Sequence, residues 1–131
     1  MADSDPWAEY ERLIAEDLAH LTSAERRLLA LGGLRAEVNN GGFHQYFFNS
    51  AGNRVTDALD AAMVADADEL ASVIRRALSM LNVQDPGDRM ARQDALGNLE
   101  PEQFANLDDS YYAIEASTDL DSVMRTFMRK T

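Results

Sequence analysis

The stretch Glu37-Val38-Asn39-Asn40-Gly41-Gly42-Phe43-His44-Gln45-Tyr46-Phe47-Phe48-Asn49-Ser50-Ala51-Gly52 decides the fold class. Its aromatic run from Phe43 to Asn49 fits the composition of a strand or of a helix. Phe43, Tyr46, Phe47 and Ser50 fall on one helical face, and the flanking segments are helical. The run is therefore read as a short helix. It follows a corner, Asn39-Asn40-Gly41-Gly42, that stops the helix before it. Every other strong periodicity in the chain is also near 3.6 residues. The expectation is an all-α fold, a compact single-domain bundle of about six or seven helices over residues 1–131.

Working upstream, Asp5-Pro6 places an N-cap before a proline at the first helical position, and Trp7, Tyr10, Ile14 and Leu18 follow at helical spacing. Thr22-Ser23-Ala24-Glu25 reads as a capping box that opens a second helix, with Leu28, Leu31, Leu34 and Val38 on one face. Gly32-Gly33 lies inside it. Glycine costs ~1 kcal/mol there relative to alanine, so a kink or a close helix crossing is expected.

Downstream, Ser50-Ala51-Gly52-Asn53 is a turn, and a helix from about Val55 to Ala65 uses Val55, Leu59, Ala62 and Met63. The clearest stripe is Leu70, Val73, Ile74, Ala77, Leu78 and Leu81. After the turn Gln84-Asp85-Pro86-Gly87, Asp88 caps a short helix to about Leu96, which Gly97-Asn98 ends. Pro101 starts another, with Phe104, Leu107, Tyr111 and Ile114 in register. Asp119 caps the last, with Leu120, Val123, Met124, Phe127 and Met128 inward. Arg125, Arg129 and Lys130 in its final turn suit the negative end of the helix dipole.

Composition narrows the function. A chain of 131 residues, 46% hydrophobic, can bury a self-sufficient core. Without cysteine there are no disulfides, thiolate nucleophiles or cysteine metal sites. The first residues are acidic rather than signal-like, and no stretch approaches the ~20 apolar residues of a membrane span, so a cytoplasmic location is expected. Twenty-three acids against twelve bases give a net charge of −11. Such a surface is repelled by nucleic acid and by anionic lipid, so neither is expected as a direct partner, and a basic protein surface is favoured. The same charge also serves plain solubility.

Catalytic templates do not match. There is no phosphate-binding glycine loop, dinucleotide fingerprint or nucleophile elbow. His20 and His44 are the two histidines, and neither belongs to a zinc or di-iron helix motif. No catalytic residue, metal or cofactor is assigned. The segment quoted first supports two readings. In one, Asn40, Gln45 and Asn49 orient a ligand in a pocket walled by Phe43 and Tyr46. In the other, Gly41 and Gly42 permit a tight helix corner whose unpaired backbone groups the same amides satisfy, so that Asn40, Gly42, Phe43 and Gln45 serve folding. Amides lining an open cleft favour the first; amides buried against backbone favour the second.

This segment resembles a bacterial domain family of largely unknown function that takes its name from a DNA-mimic protein. The likeness rests on Asn40-Gly41-Gly42-Phe43, then Gln45, Tyr46 and Phe47, then Asn49, Ser50 and Gly52. It continues through Ala58-Leu59, the small-residue run Ala61-Ala62-Met63-Val64-Ala65, and Leu107-Asp108-Asp109-Ser110-Tyr111-Tyr112, covering about residues 25–130. The resemblance implies an all-helical domain with no established enzyme activity. It also implies that at least one relative acts as an acidic surrogate for DNA on a DNA-binding protein. The shared motif is nearly uncharged, so it does not itself carry mimicry.

A separate feature bears on that role. From Gln93 to Met124 there is no Lys or Arg, while Asp94, Glu100, Glu102, Asp108, Asp109, Glu115, Asp119 and Asp121 give a local charge of −8. Asp108, Asp109 and Glu115 fall beside or opposite the apolar face of their helix. They are expected to be solvated, and their joint neutralisation to leave the fold intact. The run reads either as a solvated face or as a negative ridge that binds a basic, DNA-binding protein. The sequence thus points to an acidic protein-binding module, with a DNA mimic as its sharpest form. The alternative is a small-molecule-binding or enzymatic domain using Asn40–Asn49.

Overall fold

A computed structural model describes residues 5–128. Arg129 and Lys130, assigned above to the end of the last helix, lie outside the described residues. Within them there are seven α-helices, three short 3-10 turns and no strand. The helices are α1 (Pro6–Ile14), α2 (Ser23–Phe48), α3 (Val55–Val64), α4 (Asp68–Leu81), α5 (Arg89–Leu96), α6 (Ala105–Ser117) and α7 (Leu120–Arg125). The all-α expectation holds.

Helix α2 is the axis of the fold. The predicted capping box opens it: the Thr22 hydroxyl accepts from the Glu25 N–H at 3.1 Å, and the Glu25 carboxylate accepts from the Thr22 N–H at 2.9 Å. The sequence assigns α2 a single apolar face. Instead, every residue from 28 to 35 is buried. A helix covered all round lies at the centre of a domain, and α1, α3, α5, α6 and α7 all pack against it.

Helix α1 packs Trp7 and Tyr10 of the expected face against the core, and the inward face then passes to Leu13 in place of Ile14. Leu13 is fully buried, whereas Ile14 is 49% and Leu18 42% exposed. Leu18 belongs to a separate 3-10 turn, Leu18–His20, capped by Asp17, so the periodicity does not run through. Gly32 produces the close crossing and not a kink. The Tyr10 ring lies on it so closely that a Cβ there would sit 2.4 Å from Tyr10 Cδ1.

Helix α3 faces the core through Val55, Ala58, Ala61 and Ala62, while Met63, expected inward, is half exposed. The alanines bring α3 close to α2. Helix α4 buries Leu70, Val73, Ile74, Ala77 and Leu81 along the predicted stripe. Pro101 opens a 3-10 turn, Pro101–Phe104, that leads into α6, and Phe104, Leu107, Tyr111 and Ile114 are all buried. Asp119 caps α7, whose Leu120 and Met124 are buried, as is Phe127 beyond it.

The register of α1 can be checked directly. Leu13→Ala should cost about 2–4 kcal/mol in urea unfolding, while Ile14→Ala should stay within about 0.5 kcal/mol of wild type. Equal costs at the two positions would contradict this packing.

Candidate functional site

The corner expected at residues 39–42 comes down to one residue. Helix α2 continues through Asn40 and Gly41 and breaks at Gly42, with φ 80° and ψ −179°. That combination is essentially restricted to glycine. Residues 43–48 then form a short helical segment in a new direction. The N–H groups that open a helix have no partner within it, and Gly42 has no side chain to cap them. Asp108, from α6, takes that role: its carboxylate accepts from the Phe43 N–H at 2.8 Å. The carboxylate also packs onto Gly42, where a Cβ would sit 2.4 Å from Asp108 Oδ2.

The other end of this segment is capped by cations. Arg92, fully buried on α5, donates from Nε to the Phe47 carbonyl at 2.7 Å and from Nη2 to the Asn49 carbonyl at 3.0 Å. Its remaining bonds go to the Pro86 carbonyl at 2.7 Å and to Asn53 Oδ1 at 2.8 Å. The Phe48 carbonyl accepts from Arg89 at 2.9 Å and Gln93 at 3.0 Å. An anion at the N-terminus and guanidinium groups at the C-terminus both complement the helix dipole. Gly52 gives Arg92 its room, since a Cβ there would meet Tyr46 O at 2.6 Å and Arg92 Nε at 3.0 Å.

The motif aromatics are core. Phe43, Tyr46 and Phe47 are fully buried and pack on one another, with Tyr111 edge-on to Phe43. Burial raises the Tyr46 phenol above its ordinary range, and its hydroxyl has no protein partner among the described residues. His44 is half-buried, edge-on to Phe104.

The amides behave differently from either expectation. Gln45 Nε2 and Asn49 Nδ2 both donate to Glu37 Oε1, at 2.9 and 3.0 Å, and not to backbone. Asn40 is exposed and makes no side-chain hydrogen bond among the described residues. Gln45 and Asn49 also line an open cleft of about 470 Å³ with Gly41, His44, Phe48 and Pro101.

The acidic run divides in two. Three of its eight carboxylates bond across to other elements. Asp108 caps the corner. Glu115 forms a two-point pair with Arg35 of α2, at 2.9 and 3.0 Å, and accepts from Asn39 and the Tyr111 hydroxyl. Asp121 accepts from Arg35 Nη1 at 2.7 Å and from Trp7 Nε1 at 3.2 Å. Arg35, whose guanidinium also lies 5.1 Å from the centre of the Trp7 ring, thus ties α1, α2, α6 and α7 together. The expectation that Asp108 and Glu115 are solvated is corrected: both are half-buried and bonded. The base absent from residues 93–124 arrives from α2. The other five, Asp94, Glu100, Glu102, Asp109 and Asp119, are exposed and enter no ion pair among the described residues.

Arg35 and Arg92 went unremarked in the sequence, although a signal exists for each. Arg35 lies four residues after Leu31 on an apolar face, and Arg92 four before Leu96. A charge in such a stripe requires a buried partner.

Electrostatics follow the geometry. Burial pushes the Asp108 carboxyl above its ordinary range, with the Phe43 N–H opposing and Asp109 adding to the rise. Burial would raise Glu115 too, but hydrogen bonds from Arg35, Tyr111 and Asn39 outweigh it and hold the carboxyl low. Arg35 is also the main reason Asp121 is held low. Among the described residues no cluster of three or more His, Cys, Asp or Glu could hold a metal ion, and no helix is long and apolar enough to cross a membrane.

Fold and site together define an acidic all-helical domain built on a glycine-kinked central helix, with carboxylates sorted into internal clamps and a free outer set. A family model described as DMP19-like protein matches residues 19–131, and the chain belongs to that family. The match begins somewhat before the region of about 25–130 expected from the motif residues. No curated protein and no solved structure matches the chain.

Two measurements test this site. In denaturant unfolding, Gly42→Ala should cost about 2–4 kcal/mol through backbone strain and the displaced Asp108 cap. Arg92→Ala should cost at least about 3 kcal/mol, since a fully buried side chain is lost and four acceptors, the Phe47 carbonyl buried among them, lose their donor. Asn40→Ala should stay within about 0.5 kcal/mol of wild type. The second concerns pH. Glu115 and Asp121 have lowered folded pKa values, so their stabilisation is complete above the unfolded carboxylate range of about 4 and drains as pH falls through the lower folded values. Asp108, raised, has the opposite sign and softens that loss. Urea unfolding between about pH 6 and about pH 3 should show stability falling with acid, and less steeply in Glu115→Gln. An unchanged slope in that variant would remove the Arg35 clamp from the account.

Proposed function

We propose that this protein is an acidic protein-binding module that occupies the nucleic-acid site of a basic, DNA-binding protein. One observation carries the reading. Five carboxylates, Asp94, Glu100, Glu102, Asp109 and Asp119, stay exposed and outside any ion pair among the described residues, in a stretch with no Lys or Arg of its own. Membership of a family named after a DNA mimic agrees with it. The three inward carboxylates take no direct part, so the contact surface is smaller than the full acidic run and lies mainly on Asp94, Glu100, Glu102 and Asp109.

The physics sets a signature. Duplex DNA carries one charge per ~1.7 Å and binds largely through counterion release. A folded protein with sparser charge releases fewer counterions, so its binding weakens with salt less steeply than DNA binding does. Exposed carboxylates act chiefly on association rate.

The test begins with capture of basic partners from the source cell at low and high salt, followed by competition. A captured DNA-binding protein, labelled DNA and increasing amounts of this chain are mixed, and bound DNA is followed by anisotropy. The expected result is displacement. The combined variant Asp94→Asn, Glu100→Gln, Glu102→Gln, Asp109→Asn should slow association about ten-fold or more with an unchanged melting temperature. Simultaneous binding of DNA and this protein, or a neutralised variant that competes as well as wild type, would overturn the proposal.

A further inference from the structure

We propose that the open cleft beside residues 43–48 takes an arginine side chain of the basic partner, so that one inserted guanidinium anchors a complex steered by the exposed carboxylates. The inference rests on the reading above for the partner's basic character. It adds the site and the chemical group that the site selects.

The walls of the cleft are Gly41, His44, Gln45, Phe48, Asn49 and Pro101. Glu37 fixes the orientation of its two amides. A carboxylate only accepts hydrogen bonds, so the nitrogens of Gln45 and Asn49 turn toward Glu37 and their carbonyl oxygens turn away from it. The Gln45 oxygen rests on Gly41, where a Cβ would come within 1.9 Å of Oε1. Glycine at 41 is what lets this acceptor lie against the cleft floor. The cleft therefore presents Gln45 Oε1 as a fixed acceptor, and no Lys or Arg is among its six lining residues, Arg89 standing beside the Phe48 wall. A ligand that donates hydrogen bonds fits it.

Phe48 selects among donors. It is the one aromatic of the Phe43–Phe48 segment turned outward, at 48% exposure, while Phe43, Tyr46 and Phe47 are fully buried. A planar cation stacks on such a ring better than a compact ammonium does. The protein already places a guanidinium near it: Arg89 Cζ lies 6.0 Å from the ring centre, at the outer limit of such a contact, and the residue stays about half exposed. Charge at the rim agrees. Pro101, one wall, is flanked in the chain by exposed Glu100 and Glu102. A space of about 470 Å³ open to solvent admits one long side chain without enclosing it.

The test uses the full-length chain labelled with nitrogen-15 and three blocked tripeptides in which glycines flank arginine, lysine or citrulline. Citrulline keeps the shape of arginine and removes the charge. The expected result is saturable shifts of the Gln45 and Asn49 side-chain amide signals with the arginine peptide, weaker shifts with lysine, and none with citrulline. Phe48→Ala should lower arginine affinity about two- to five-fold and abolish the preference over lysine. The pair Glu100→Gln with Glu102→Gln should weaken both cationic peptides together and keep the preference. Both variants change exposed side chains, and an unperturbed backbone spectrum verifies their folds. Shifts confined to residues around Asp94, Glu100, Glu102 and Asp109, with arginine and lysine equal, would overturn the cleft and leave the acidic-surface reading standing. Arginine-selective shifts at Gln45 and Asn49 combined with a failed DNA competition would support the cleft and overturn DNA mimicry. No shifts with any peptide would overturn the cleft.

Discussion

The turn in the central helix depends on one hydrogen bond, from the Phe43 N–H to the Asp108 carboxylate at 2.8 Å. Gly42, at φ 80°, turns the central helix, and a turned helix has a second beginning whose amides need an acceptor. Only a carboxylate from another element reaches them, because the cap position itself is glycine. That contact places α6 against the corner. Arg92 completes the arrangement from the opposite end by holding the Phe47 and Asn49 carbonyls. A segment of residues 43–48, too short to hold itself as a helix in water, is stabilised by an anion at its start and cations at its finish.

The second consequence concerns charge. Binding Asp108, Glu115 and Asp121 inward uses carboxylates that a count along the chain assigns to the surface. Arg35 neutralises two of them at once and gathers Trp7, Asn39, Tyr111 and Met124 around the same pair. What stays outside is a smaller set without ion pairs among the described residues, running from the end of α5 to the start of α6, with Asp119 at the cap of α7. The fold thus decides which acids are available to a partner. A neutralisation experiment that mixes the two sets reports on folding as well as on binding. Asp108 in particular cannot be treated as a surface charge, because its loss exposes the corner.

Much of the fold was legible because its signals are local. The Thr22–Glu25 capping box, the α4 stripe from Leu70 to Leu81, the Asp88 and Asp119 caps and the Phe104-Leu107-Tyr111-Ile114 register each involve neighbours within one or two turns. Local phase fails where several choices fit, as for Leu13 against Ile14, whose directions differ by a single step along the helix. The site was less legible, for a definite reason. Asp108 and Phe43 are 65 residues apart, and Arg35 and Glu115 are 80 apart. The acidic run has no base along the chain, whereas Arg35 reaches two of its carboxylates through space. The helix turns at Gly42, and Gln45 and Asn49 pair with Glu37 rather than with the backbone.

Native-state hydrogen exchange at the Phe43 amide tests the central claim most directly. The account predicts that this N–H, sitting at a helix start beside a glycine, exchanges as slowly as the core amides of α2, because Asp108 holds it until the domain unfolds. In Asp108→Ala the same amide should exchange faster by at least about ten-fold relative to those core amides. Rapid exchange of Phe43 in the wild-type protein, at the rate of an exposed loop amide, would contradict the account.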